Sequence, residues 1–316
     1  MTTLICGSIA LDTILSSPFP FALEPEAVAA QRVSVSYFMP DMAVQWGGCG
    51  ANIAYAMQQL GGKPLLMGTV GRDAQEYIQR FNALGIDTQY IKVIPEAHTA
   101  RAVIMSDNMG QQITGFHPGA MDFAHELSAK PIHAKHTIDW AIISPDGKEG
   151  MLSRAQELGQ LGVKTICDPG QAMPILSRED LQILMQHAKV LAVNEHEAEM
   201  LQKTLGQRLA QIAERISLLV TLGDQGLMFY ENAETIIKIP AVQNIATVDA
   251  TGCGDALRGA WLFGLSQGAS HIDSLRLGTL LAAHKLQYKG GQGYTADLSA
   301  MRGAWETHFI GLACPF

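Results

Sequence analysis

No block of consecutive lysines and arginines occurs in these 316 residues, and the formal net charge is -8. DNA, RNA and anionic membrane surfaces are recognised through clustered positive charge, so neither nucleic acid nor membrane is an expected partner. No apolar run approaches the ~18 uninterrupted residues of a membrane-spanning helix. The opening stretch Met1-Thr2-Thr3-Leu4-Ile5-Cys6 turns at Gly7 without the basic and apolar regions of a secretory signal. Cysteine is sparse: Cys6, Cys49, Cys167, Cys253 and Cys314 are odd in number and widely spaced, which suits reduced thiols better than a disulfide framework or a zinc site. Together these absences lead us to expect a cytoplasmic location. A P-loop is missing as well, because Gly62-Lys63 lacks the upstream glycine and is followed by Pro64. Internal repeats, low-complexity tracts and a Pro/Gly/Ser linker are also absent.

What is present is apolar: 47% of the residues are hydrophobic and only 16% charged, enough to bury one large core. Residues 139–144, 163–168, 190–194 and 218–221 are short Val/Ile/Leu-rich runs without polar alternation, as in parallel strands covered on both faces. Helical stretches at 151–161, 181–187, 195–205 and 209–216 supply the crossovers that parallel pairing requires. The expected fold class is α/β, a doubly wound, mostly parallel sheet flanked by helices. In the first half, Asp73-Ala74-Gln75-Glu76 has the form of a helix start, Tyr77, Ile78, Phe81 and Leu84 follow at helical spacing, and Gly85 ends the run. Residues 32–46 and 99–117 instead alternate polar and apolar side chains, the second around the turn Ser106-Asp107-Asn108-Met109-Gly110. They read as strands of a small antiparallel β lid. The expected division is a core of residues 1–14, 47–98 and 119–316, with 15–46 and 99–118 inserted as the lid.

The chemistry is most legible in Val248-Asp249-Ala250-Thr251-Gly252-Cys253-Gly254-Asp255-Ala256, which leads into an apolar helical run. Small residues opening a helix let backbone N–H groups converge on an anion, and the helix dipole adds positive potential there. Asp255 lies in the first turn beside that cradle, placed to accept the proton of an attacking hydroxyl while Gly252, Cys253 and Gly254 hold phosphoryl charge. The same residues also read as an ordinary glycine-rich helix cap. Asp168, Asn194 and Thr221 each end a predicted parallel strand, where open α/β sheets bind their ligands.

Asp249-Ala250-Thr251-Gly252-Cys253-Gly254-Asp255 resembles the D-T-x-G-A-G-D signature of the PfkB carbohydrate kinases, departing from it at Ala250 and Cys253. Gly47-Gly48-Cys49-Gly50-Ala51-Asn52-Ile53-Ala54 resembles the family's N-terminal G-G-x-x-x-N-x-A stretch. Asp12, Asp168-Pro169-Gly170, the N-x-x-E of Asn194 to Glu197 and the T-x-G-x-x-G of Thr221 to Gly226 extend the likeness over essentially the whole chain. The resemblance implies a ribokinase-like fold and an ATP- and Mg²⁺-dependent kinase with Asp255 as base. It implies that Asp12, Gly47, Gly48 and Asn52 contact substrate. Asn194, Thr221, Gly223, Gly226, Gly254 and Thr279 would face ATP, with the segment Gly290-Gly291-Gln292-Gly293 on the adenine side. Glu197 and Asn194 would hold Mg²⁺ through water. A monovalent cation such as K⁺, bound by backbone carbonyls near Asp249, Thr251 and Gly290, is a further implication, and relatives are monomers or homodimers.

The aromatic lid segments Tyr37-Phe38-Met39-Pro40 and Gln111 to Met121, which includes Phe116, resemble those of bacterial and archaeal nucleoside kinases. They would give an apolar wall for a base. Adenosine, phosphorylated on its 5′-hydroxyl, is the favoured substrate, with ribose or a related sugar as the alternative. A non-catalytic sugar- or nucleoside-binding regulator is a second alternative. A dehydrogenase is disfavoured, since Gly48-Cys49-Gly50 is followed by Ile53 where a dinucleotide fingerprint needs glycine.

Overall fold

In a computed structural model of the protein, which describes residues 1–21 and 35–316, the apolar runs become one nine-stranded sheet. Its strands in chain order are β1 (Thr2–Cys6), β4 (Pro64–Gly71), β5 (Ile91–Ile94), β8 (Ile138–Ile143), β9 (Lys164–Cys167), β10 (Val190–Asn194), β11 (Ser217–Thr221), β12 (Leu227–Tyr230) and β13 (Ile236–Ile239). The spatial order is β13-β12-β11-β10-β9-β8-β1-β4-β5. Every pairing from β11 to β5 is parallel, and only β12 and β13 are antiparallel additions.

The lack of polar alternation has a direct cause. Ile5, Ile142, Val190 and Ala192 point into one core, while Leu4, Cys6, Ala141, Ile143, Leu191 and Val193 point into the other. Helices α1 (Cys49–Gln59), α2 (Gln75–Ala83), α8 (Cys253–Ser266), α9 (His271–Lys285) and α10 (Leu298–His308) contribute to the first core. Helices α3 (Lys130–His136), α4 (Lys148–Gln160), α5 (Arg178–His187), α6 (Glu195–Leu205) and α7 (Leu209–Ala213) contribute to the second. The doubly wound α/β class is therefore as expected. No described helix is long and apolar enough to cross a membrane.

A second sheet of four strands, in the order β3-β2-β6-β7, stands apart from the first. It comprises β2 (Ala10–Ser16), β3 (Asp41–Gly47), β6 (Ala100–Ser106) and β7 (Gln112–His117). The β6–β7 hairpin falls where the alternation placed it, and Asp107 shapes its turn by accepting from the N–H groups of Met109 and Gln111. Three features differ from the sequence reading. Residues 10–14, assigned to the core, form part of β2, which lies antiparallel to β3 and parallel to β6. The strand read over 32–46 begins only at Asp41, and residues 32–34 lie outside the described residues. Asp73 does not cap α2. Its carboxylate instead accepts from the Thr99 N–H and hydroxyl at 2.7 Å and pairs with Arg101, tying the helix start to the base of β6.

Helix α8 carries the glycine-rich motif, and its approach to α1 is what brings the two distant signatures together. Gly259 makes that approach possible: a Cβ there would meet Ala56 Cβ at 2.5 Å and Ile53 O at 2.7 Å. Gly259→Val should act as a wedge between the helices. Overpacking of this kind costs about 1–3 kcal/mol, enough to lower the melting temperature by a few degrees. A calorimetric scan with no change would show that the helices tolerate separation.

Candidate active site

The loop after β1 and the N-terminus of α1 meet at the C-terminal edge of the parallel strands. Gly48 is the N-cap of α1 at φ 91°, and a Cβ there would lie 2.5 Å from both Ala10 N and Ser8 O. Only glycine combines that left-handed backbone with so close an approach. Ser8 Oγ accepts from Cys49 N–H at 3.1 Å, so the first signature is fastened to the start of β2. A cavity of about 950 Å³ opens between the two sheets. Its lid side includes Asp12, Ala102, Ile104 and Phe116, and its core side includes Gly48, Asn52, Thr251, Gly252 and Asp255.

Asp255 and Asn52, 203 residues apart in sequence, are joined by a 2.9 Å bond from Asn52 Nδ2 to Asp255 Oδ2. Asn52 is held in turn by Gln292 Nε2, which donates to Asn52 Oδ1 at 3.0 Å and to the Tyr77 hydroxyl at 2.6 Å. Tyr77 donates to Gly47 O at 2.7 Å. A buried polar chain thus runs from the acidic group of α8 to the base of lid strand β3. Trp46 stacks on Tyr77 at 4.8 Å beside its last link.

At the head of α8, Gly252 adopts a left-handed conformation as N-cap and offers no side chain to the helix. Among the described residues the N–H groups of Gly254 and Asp255 find no acceptor, and both belong to the first turn. These are the free donors of an anion cradle. Arg258, one turn on, pairs through Nε with buried Asp168 and donates from Nη1 to Gly254 O at 3.1 Å. Burial opposes its charge, but Asp168, Asp255 and Glu197 together hold its pKa above the ordinary value.

Asp255 and Asp12, which both line the cavity, are made more basic than usual. Burial raises Asp255, against the hydrogen bond from Asn52 and the charge of Arg258. Burial also raises Asp12 to about 6, with repulsion from Asp255 adding to the effect. Asp12 accepts no hydrogen bond from any described residue, so its oxygens remain available to a ligand in the cavity.

Apart from Gly254 in the cradle, the residues assigned to the nucleotide do not line this cavity. Asn194 and Thr221 are register partners at the ends of β10 and β11. Asn194 and Glu197 cap α6 reciprocally, each side chain accepting from the other's backbone N–H at 2.8 Å, while Asn194 Nδ2 donates to the second Glu197 oxygen. Gly223 is at φ 59° with open space where a side chain would be, whereas Gly226 is pressed against the backbone of residues 239–241. Thr279 is not brought to the cavity: it is 6% exposed, and its hydroxyl donates to Arg276 O within α9. The segment 290–293 likewise turns inward, with Gln292 on Asn52 and Gly290 N–H on Asp249 Oδ2 at 2.7 Å.

No local pattern marks Gln292 and Tyr77 as supports of Asn52, because their roles rest on contacts more than 200 residues apart. Asp146, which also lines the cavity, had a usable signal, since it closely follows the C-terminal end of β8. Burial raises its pKa to about 7.

Comparison with known proteins agrees with this geometry. The model of the pfkB family carbohydrate kinases matches residues 26–297. A ribokinase of Lactococcus lactis is 29% identical over 282 residues, covering 87% of this chain and 90% of the relative. A nucleoside kinase of Methanocaldococcus jannaschii is 28% identical, covering 82% and 85%. Among solved structures, the nucleoside kinase of Burkholderia thailandensis in complex with inosine is 38% identical, covers 98% of both chains and superposes with a TM-score of 0.86. A family match over most of the chain, joined to two signatures that meet in space, places it: the chain belongs to the pfkB family of carbohydrate kinases and is an ATP-dependent phosphotransferase.

Proposed function

We propose that the enzyme transfers the γ-phosphoryl group of ATP to the 5′-hydroxyl of a nucleoside, with adenosine the leading substrate. The observation that carries this reading is the cavity itself. It extends from Asp255 and the free N–H groups of α8, past the unpartnered Asp12 carboxylate, to the apolar lid face of Ala102, Ile104 and Phe116. A free ribose would use the first two features and leave the third empty. A nucleoside uses all three, with a base against the apolar face. Support comes also from the likeness to the Burkholderia thailandensis nucleoside kinase, whose structure holds inosine.

In this reading Asp255 accepts the proton of the 5′-hydroxyl as its oxygen attacks the γ-phosphorus. Asn52 fixes one Asp255 oxygen and so orients the carboxylate. The N–H groups of Gly254 and Asp255, with Gly252 and Cys253 shaping the turn, face the charge of the transferring group. Asp12 accepts from ribose hydroxyls, and Gly47 and Gly48 keep the neighbouring backbone within reach of the sugar. Thr221 and Gly223 face the nucleotide, while Gly226 shapes their turn. Among the described residues no group of three or more His, Cys, Asp and Glu side chains could hold a metal ion directly. Both Glu197 oxygens already accept from Asn194. Such a site fits Mg²⁺ held by Glu197 and Asn194 through its own waters, the usual preference of that ion. When bound, the ion would supply charge compensation for the ATP phosphates.

Asp255→Asn removes the proton acceptor and keeps the cradle. Turnover should fall by about 10²–10⁴-fold with little change in nucleoside affinity, and steady-state rates beside calorimetric titrations would separate the two. Retained turnover would assign the base elsewhere.

Asp12 sets a pH dependence. With a pKa of about 6 in the free enzyme, its carboxylate is lost as pH falls, and ribose hydroxyls then have no anionic acceptor. Nucleoside binding should weaken about tenfold between pH 7 and pH 5. Asp12→Asn should bind more weakly at pH 7 and show a flatter profile. An unaltered pH slope in this variant would remove Asp12 from the substrate site.

Phe116 is 54% exposed on β7 and lines the cavity, where a base could cover it. Phe116→Ala should weaken adenosine by about ten- to a hundredfold, the worth of roughly 1–3 kcal/mol of aromatic burial, and leave ribose almost untouched. Equal losses would make Phe116 a general part of the lid. Wild-type rates on ribose equal to those on adenosine would overturn the nucleoside reading in favour of a sugar kinase.

A further inference from the structure

Lys285, the last residue of α9, is 0% exposed. Burying an ammonium group is costly unless it is paired, yet no carboxylate forms a salt bridge with it among the described residues. Its Nζ donates instead to two backbone carbonyls, Asp249 O at 2.6 Å and Tyr288 O at 3.2 Å. Both carbonyls belong to the segments that frame the anion cradle. Asp249 binds these segments together from its other end, accepting from Thr251 N–H at 2.8 Å and Gly290 N–H at 2.7 Å. Between them Gly252 begins α8, and a Cβ on it would meet Gly291 Cα at 2.7 Å. The position of the cradle N–H groups therefore depends on how these two segments meet, and Lys285 is the cation at their junction.

This is the neighbourhood in which the family resemblance implies a separate monovalent ion held by carbonyls. The residues present do not fit one at Asp249 O, because that oxygen already receives the ammonium. We infer that Lys285 takes the place of that ion, as a tethered cation that positions the cradle loop and makes the enzyme independent of K⁺. Lys285 touches neither substrate nor reacting atoms. It is a positioning residue, acting through residues 249–252. The internal cation also contributes to the potential of the site: its charge lowers the pKa values of Asp249 and Asp255, in each case as a minor influence beside burial.

The test compares wild type with Lys285→Ala and Lys285→Met, all dialysed free of K⁺, in KCl, methylammonium chloride and tetramethylammonium chloride at equal ionic strength. Melting temperature is read alongside kcat and the KM for ATP, so that one readout does not depend on which nucleoside is used. Wild type should differ by less than about twofold in kcat among the salts and melt at the same temperature in each. Lys285→Ala should lose about ten- to a hundredfold in kcat/KM for ATP. K⁺ or methylammonium, but not tetramethylammonium, should then raise both its melting temperature and its rate by entering the vacated space. In Lys285→Met the side chain fills that space without charge, and rescue should fail. Saturable activation of wild type by K⁺ would overturn the inference even if the variants fail to fold. So would a folded Lys285→Ala enzyme indifferent to small cations, which would leave Lys285 as packing alone.

Discussion

The hydrogen bond between Asn52 and Asp255 is the contact on which the site depends, because it joins the two signature motifs through side chains of the reacting region. Asn52 belongs to α1 and Asp255 to α8, and the bond has meaning only if both helices hold their axial positions to a fraction of an ångström. The first core supplies that constraint: Ile53, Ala54 and Met57 of α1 pack with Ala260 and Trp261 of α8 in one buried cluster. Gln292 and Tyr77 then fix the remaining freedom of the Asn52 amide, since its oxygen accepts from Gln292 and its nitrogen is left to donate to Asp255. The amide orientation is thus dictated by the network.

The same chain joins chemistry to the lid. Tyr77 ends it on the carbonyl of Gly47, where β3 leaves the core, and Arg80 adds a bond to Gln292 O together with a position over the Trp46 ring. This base of the second sheet is therefore fixed to the core. Above it, β3 becomes more exposed towards Asp41, and β7 is exposed along its length. A rigid root with an exposed blade is the arrangement a substrate-closed lid requires, because closure can exclude water without displacing the base.

Much of this was legible in the sequence because it is encoded locally. Strands β8 to β11 announce themselves by being apolar on both faces, and α6 by an Asn-x-x-Glu box that the structure forms in full. Asp255, Asn52, Asp12 and Phe116 were identified separately and line one cavity. What was missed depends on distant partners. Ala10–Ser16 is divided between core and lid in the sequence reading, and it is a single strand because β3 and β6 flank it. Asp73 has the pattern of a helix cap, but Thr99 offers two donors to the same carboxylate and wins. Lys285, at a helix end between Ala282-Ala283-His284 and Leu286-Gln287, looks like a solvated cation; lysine is so rarely buried that no local signal overrides that expectation.

The remaining design question is electrostatic. A chain of net charge -8, with Asp12, Asp168, Glu197 and Asp255 near one another, must accept a polyanion. A lysine placed directly against the transferring phosphate would solve the attraction but create a second problem. Beside Asp255 it would stabilise the carboxylate and lower its pKa, weakening the base that the reaction needs. The structure separates the two tasks. Backbone N–H groups at the head of α8 are uncharged donors for an anion and cannot take a proton from Asp255 or give one up to it. The full cations stand behind them: Arg258 is engaged by Asp168 and by Gly254 O, and Lys285 by the carbonyls of Asp249 and Tyr288. Positive charge therefore stands behind the loop rather than beside Asp255, while burial remains the largest influence on Asp255 and keeps its carboxylate more basic than one in water.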